Sequence, residues 1–208
     1  KDKSNFYQEI NFHGTANLAK QASKSGVRRF IFISSAKVHG EKNRGKIPFT
    51  EDDNFFSEDA YAKSKFETEV ELNKIALSSD MEVVIIRPPL VYGKNVKANF
   101  YSLIKIVSKG IPLPVLGFEN KRSFIAIENL VNFIITSIDH SKAANEVFLI
   151  SNDNDISVKE VIKKIAEIRK KRIIIFYIPY PILYFFCKLF FLSSNLNKVY
   201  DNFQIDIS

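Results

Sequence analysis

Apolar and polar positions along the chain fall into two alternating patterns. Arg29-Phe-Ile-Phe-Ile-Ser34 and Glu82-Val-Val-Ile-Ile-Arg87 are short runs, apolar throughout and closed by polar side chains. Strands buried on both faces of a parallel sheet read this way, because neither face tolerates a polar residue. Longer stretches around them carry apolar residues at helical spacing. Asn5 to Ser25 is the first, with Ile10, Ala16, Leu18, Ala19 and Ala22 on one side and a stop at Gly26. Further helices are expected around Tyr61 to Ser78, Asn99 to Lys109, Leu130 to Ser141 and Ser157 to Lys171. The last opens on Ser157 with Glu160 three residues on, a capping box. Val91 to Gly93 reads as the start of a loop, Arg122 to Ile127 as a short extended segment and Glu146 to Ile150 as a strand.

Alternating apolar strands and amphipathic helices predict an α/β fold with a parallel sheet. Ligands of such sheets sit outside the carboxyl ends of the strands. Ser34-Ser35 and Arg87 stand at two of those ends. Tyr61 lies on the helix between them, where a right-handed crossover brings it beside Ser35.

Tyr61 and Lys65 are four residues apart, so they share one helical face. An ammonium beside a phenol favours phenolate, which predicts a Tyr61 pKa falling from about 10 toward neutrality and a base able to deprotonate a hydroxyl. Tyr101/Lys105 and Tyr184/Lys188 share the spacing but lack a hydroxyl-bearing strand end upstream. The bland reading of such a pair is a packed tyrosine with a solvated lysine beside it.

Charge and cysteine usage narrow the picture. The net charge of +7 comes from scattered residues, apart from Arg169-Lys170-Lys171-Arg172. That cluster reads as the basic end of a helix, so no nucleic-acid partner is expected. The single cysteine, Cys187, excludes a disulfide framework and points to a reducing, cytoplasmic compartment. The opening Lys-Asp-Lys-Ser-Asn carries no signal-peptide pattern. Residues 173–192 are mostly apolar but interrupted by Pro179, Pro181 and Lys188. They are not a spanning helix, which leaves a packed substrate-lobe segment or a peripheral membrane contact as the readings.

Five blocks in order resemble the extended short-chain dehydrogenase/reductases, in the nucleotide-sugar epimerase/dehydratase branch. They are Asn11-Phe-His-Gly-Thr-Ala-Asn-Leu18, Phe32-Ile-Ser-Ser-Ala-Lys-Val-His-Gly40, Tyr61-Ala-Lys-Ser-Lys65, Arg87-Pro-Pro-Leu-Val-Tyr-Gly93 and Arg122-Ser-Phe-Ile-Ala-Ile-Glu-Asn-Leu130. The resemblance implies a Rossmann-like doubly wound parallel sheet with a small C-terminal substrate-binding lobe. Residues 1–93 would be a partial NAD(P)-binding domain. Residues 94–208 would be a mixed substrate lobe with Rossmann return segments and an apolar tail. It implies NAD (or NADP) as cofactor, a nucleotide-sugar substrate and a homodimer through the Tyr-Lys helix and the helix before it. By the same resemblance, Ser35, Tyr61 and Lys65 are catalytic. Asn11, Ser34, Tyr61, Lys65 and Pro88 face the cofactor, and Ser35, Lys37, Asn99 and Arg122 face the substrate. His39 stands where the family often has tyrosine and reads as packing or pocket wall.

Departures sharpen the expectation. The glycine-rich turn for the dinucleotide pyrophosphate is missing, with the strand that precedes it. The chain therefore reads as a piece of a longer enzyme, expected not to bind NAD usefully alone. Ala36-Lys37 stands where dehydratases carry Asp-Glu, which argues against 4,6-dehydration. Leu90 replaces an asparagine frequent in galactose-type epimerases. The leading expectation is a 4-epimerase of UDP-glucose or UDP-N-acetylglucosamine in surface-polysaccharide biosynthesis. The alternatives are a 4-reductase of a UDP-4-keto-6-deoxy sugar, and an inactive relative serving as a binding or assembly module.

Overall fold

The computed structural model describes residues 3–43, 45, 47–55, 57–94, 98–115, 120–177 and 201–208. Strands β1 (Arg29–Ile33), β2 (Glu82–Arg87) and β6 (Val147–Leu149) form a parallel sheet in the order β1-β2-β6. Register pairs Phe32 with Ile85 and Ile85 with Val147. Side chains alternate across the pleat, so β2 feeds two cores. Val83 and Ile85 pack with Phe32, Ala19, Leu72 and Ile75, beneath helices α2 (Thr15–Lys24) and α3 (Ala60–Leu77). Val84 and Ile86 point the other way, to Ile125, Leu130 and Ile150, beneath α5 (Ile127–Asp139). The wholly apolar strand pattern thus has its expected cause: helices on both faces.

The first predicted helix is three pieces in continuous αR backbone: α1 (Lys3–Tyr7), a π-helical stretch Gln8–Gly14, and α2. The expected loop at Val91 is instead β3 (Leu90–Tyr92), paired in parallel with β5 (Phe124–Ala126). Its burial is partial, and three residues are too few to show a period. A third core gathers α4 (Ala98–Ser108), α6 (Val158–Ile168), Phe124 and Leu113. There, β4 (Leu113–Val115) pairs with β7 (Ile175–Tyr177), a contact unmarked in the sequence. The capping box of α6 is present: Ser157 Oγ accepts from Glu160 N at 3.1 Å, and Glu160 Oε2 accepts from Ser157 N at 2.7 Å.

Residues 201–206 lie between two loops. Phe49 N donates to Gln204 O and Asp206 N to Phe49 O, while Ser123 N donates to Phe203 O. Asn43 and Gln204 exchange two further bonds, and Phe49, Phe203, Ile205 and Leu149 form a small core.

Candidate functional site

The carboxyl ends of β1 and β2 meet at a polar turn. Ser34 N donates to Ile86 O at 2.7 Å, and Ala36 N to the carbonyl of buried Pro88 at 2.9 Å. Ser35 caps the 3-10 turn Ala36–His39, its Oγ accepting from Lys37 N at 3.3 Å. Ser34 Oγ is buried with no hydrogen-bond partner among the described residues. A buried hydroxyl left so is costly, and its position marks a place where a polar ligand group fits.

Helix α3 delivers the other half. Asp59 caps it, Oδ1 accepting from Ala62 N at 3.1 Å, which sets the start of the turn carrying Tyr61 and Lys65. Lys65 Nζ donates to Ile33 O at 2.8 Å and lies 4.5 Å from the Phe32 ring centroid, with the Tyr61 ring 5.9 Å away. The structure therefore brings Lys65 to the end of β1, with the Tyr61 ring near its ammonium. Tyr61 also meets Tyr7 edge-on, ring centroids 5.5 Å apart.

The electrostatics correct one expectation. Burial pushes the Tyr61 phenol above its ordinary value, and Tyr7 and Asp59 push the same way. Burial also lowers the Lys65 ammonium, with Glu69 acting against that. Desolvation disfavours both charged forms and outweighs the attraction that the spacing alone suggested.

Asn11 falls in the π-helical stretch, a geometry common at functional sites. Its Nδ2 donates to Ser64 Oγ at 3.1 Å and its carbonyl accepts from Thr68 Oγ1 at 2.9 Å, so it braces α3 one residue from Lys65.

Arg87 does not face the open strand end. It turns inward to Glu69, with Nη2 at 2.7 Å from Oε2 and Nε at 3.2 Å from both oxygens. Its Nη1 donates to Glu51 O and to His39 Nε2, each at 3.1 Å. Since Arg87 can only donate, Nε2 is the acceptor, and Nδ1–H donates to Asp53 O at 3.1 Å. His39 is thus packed and neutral: burial first, then Arg87, lowers its pKa from 6.5 to about 4. Sequence reasoning missed Glu69. The available signal was an arginine ending a wholly apolar strand, which requires a buried carboxylate somewhere.

Arg122 lies apart from the Tyr61 cluster. Nη1 donates to Asp201 O at 2.9 Å and the guanidinium lies 5.3 Å from the Phe203 ring. No hydrogen bond joins it to Tyr61, Lys65 or Ser35 among the described residues. Asn99 belongs to the backbone of α4, but its side chain is outside the described residues, as are residues 178–192 of the apolar tail and the Tyr184/Lys188 pair. Among the described residues there is no metal-binding cluster, and no helix long and apolar enough to cross a membrane.

Known proteins resemble this chain in sequence and in fold. The family model described as "NAD dependent epimerase/dehydratase family" matches residues 1–151. A Vibrio cholerae UDP-glucose 4-epimerase is 50% identical over 205 residues, covering 97% of this chain and 62% of that protein. A crystal structure of a UDP-glucose 4-epimerase from Thermotoga maritima with UDP-glucose superposes with a TM-score of 0.74 at 21% identity, over 97% of this chain and 62% of the other. A UDP-glucuronic acid 4-epimerase from Bacillus cereus, in complex with NAD, gives 0.72 at 22%, over 81% and 56%. The chain therefore spans under two thirds of the length of each.

Proposed function

The chain belongs to the NAD dependent epimerase/dehydratase family, and from that premise we propose that it carries the proton relay of a UDP-sugar C4 epimerase. The observation that carries this reading is Lys65. It reaches from the Tyr61 helix to the last carbonyl of β1, beside the unpartnered hydroxyl of Ser34. The 50% identity to a UDP-glucose 4-epimerase supports UDP-glucose as the sugar.

Ser34, Lys65, Asn11 and Pro88 would hold the nicotinamide end of NAD. When bound, NAD would supply the hydride acceptor and donor for oxidation and re-reduction at sugar C4. Tyr61 moves the matching proton. Once its buried phenol is deprotonated, a step that the raised pKa moves to the alkaline side, Tyr61 takes the proton of the C4 hydroxyl and returns it to the C4 oxygen after the keto sugar has turned. Ser35 hydrogen-bonds that oxygen and limits where it sits. Lys65 supplies the nearest cation for the phenolate. Lys37, Asn99 and Arg122 serve the rest of the nucleotide sugar, with Arg122 suited to the diphosphate as a bidentate donor. Ala36 and Lys37 offer no carboxylate for expelling water, which favours epimerisation over dehydration.

The test is turnover of UDP-galactose to UDP-glucose by the whole protein with NAD. Tyr61→Phe should lower kcat by about 10²-fold or more with KM little changed. Equal rates would remove Tyr61 from the relay.

The homodimer belongs to the same proposal. Phe6, Ile10, Leu18 and Val70 are exposed on α1, the π-helical stretch, α2 and α3. A groove of about 440 Å³ beside them is lined by Gln8, Phe12, Phe66, Glu67 and Val70, among others. Exposed apolar side chains along two adjacent helices suit a self-complementary interface. Val70→Glu should convert a dimer to monomer in sedimentation equilibrium, and an unchanged mass would place any interface elsewhere.

A further inference from the structure

The basic cluster Arg169-Lys170-Lys171-Arg172 has no part in the site described above. We propose that this cluster, with the exposed apolar side chains on either side of it, forms a surface that docks on an anionic phospholipid bilayer. The inference goes beyond the sugar chemistry and does not rest on it.

The surface lies where α6 ends. Arg169 is the C-cap of α6, and Lys170 turns the chain at φ 51. The helix macrodipole favours cations at its last turn, which accounts for Arg169 but not for Lys171 and Arg172 beyond the bend. All four side chains are exposed, and among the described residues none of them enters a hydrogen bond or ion pair. Lys109 and Ile111 adjoin them, since a Cβ on Gly110 would lie 3.6 Å from the Arg172 carbonyl oxygen. Ile168 precedes the cluster at 78% exposure, and Ile174 and Phe176 follow it at 67% and 42%. Ile173 and Ile175 pack into the core of α4 and α6, which leaves the alternate residues Ile174 and Phe176 outside it.

Charge selects the occupant. Residues 158–177 carry seven basic and two acidic side chains, and residues 98–111 carry two basic and none acidic. Of the two acids, Glu160 caps its own helix. The partner is therefore anionic. A second copy of this chain would set the four cations against the same four across a twofold axis. A nucleic acid would meet the cations but leave Ile168, Ile174 and Phe176 in water. An anionic bilayer answers both features: its phosphates meet the lysine and arginine heads, and the apolar side chains enter the boundary between headgroups and acyl chains. Exposed apolar side chains rimmed by cations have that use, whereas neither feature serves the packing of the lobe.

The experiment is cosedimentation of the full chain with vesicles of phosphatidylglycerol and phosphatidylcholine, beside vesicles of phosphatidylcholine alone. The chain should sediment with the anionic vesicles, and added salt should release it. Two variants separate the contributions: Lys170→Gln/Lys171→Gln/Arg172→Gln removes charge, and Ile174→Ser/Phe176→Ser removes the outward apolar pair. Each should weaken vesicle affinity by about tenfold or more. Circular dichroism checks the fold of both, and the charge variant, which alters solvated side chains only, decides if the other fails to fold. Absence of vesicle binding overturns the proposal, as does unchanged affinity in either folded variant or equal binding to the neutral vesicles. Capture by soluble polyglutamate without vesicle binding overturns it in favour of an acidic protein partner. Neither variant touches the Tyr61 cluster, so a failed sugar assay and a failed membrane role are separable results.

Discussion

The ammonium of Lys65 donates to the carbonyl of Ile33 at 2.8 Å, across 32 residues of sequence. This bond ties the helix that carries Tyr61 to the strand end that carries Ser34 and Ser35. The ammonium itself lies 5.9 Å from the centre of the Tyr61 ring, where burial is the largest influence on the phenol. Tyr61 should therefore titrate above pH 10 in this chain, with burial as the main cause. Ring-labelled tyrosine NMR reads it directly, and a midpoint well below 10 would restore the lowered value that the four-residue spacing suggests.

His39 makes stability depend on pH in the mildly acid range. Its folded-state pKa is lowered from 6.5 to about 4 by burial and by Arg87. Above pH 6.5 it is neutral folded or unfolded, and nothing is lost. Between pH 6.5 and about 4 the unfolded chain takes up a proton that the folded chain refuses, so stability falls as pH drops. The shift corresponds to at most about 3 kcal/mol. Urea unfolding at pH 7 and pH 4.5 should show this component in wild type and not in His39→Gln. Equal pH dependence would mean that His39 is solvated.

Arg29 closes the carboxyl end of α5. Its Nη1 donates to the carbonyls of Ser137, Ile138 and His140 at 2.6 to 3.1 Å, while Nε and Nη2 hold Glu82. Arg29→Met strips those carbonyls and leaves Glu82 unpaired, at a cost of about 2 kcal/mol or more. Arg29→Lys should recover only a fraction, because one ammonium cannot reproduce the guanidinium fork. A Lys variant as stable as wild type would reduce the site to simple charge.

Gly93 turns the chain out of β3 at φ +147, and a Cβ there would lie 2.4 Å from Ile127 Cγ2. Gly93→Ala combines a disfavoured backbone with overpacking against the first residue of α5. The expected loss is about 2 kcal/mol or more. Adding Ile127→Ala should return part of it, and no recovery in the double variant would point to the backbone alone.

Sequence was most informative where burial is two-sided. β1 and β2 were legible because an apolar run with polar ends has few other uses, and α6 because Ser157 and Glu160 satisfy each other locally. Strands β3, β4 and β7 were not legible, since three residues carry no period and their partners lie 34 and 62 positions away. Tyr61, Lys65 and Ser34 could be placed at one strand end from spacing and topology. Their protonation could not, because desolvation depends on what packs around them. Glu69 escaped notice for the same reason: a glutamate among many on a helix reveals its burial only once Arg87 is seen across from it.

The pairing of Phe49 and Asn43 with Gln204 spans up to 161 positions, and this sets an order of events in folding. Contacts that distant are formed late, since the chain between them must first be ordered. During synthesis the sheet of β1 and β2 and its covering helices can assemble while residues after 200 are still unmade. Asn43 and Phe49 gain their Gln204 partners only when those residues arrive. Arg122 is held by the same segment, so the Tyr61–Lys65 centre is expected to mature before the surface assigned to the nucleotide diphosphate.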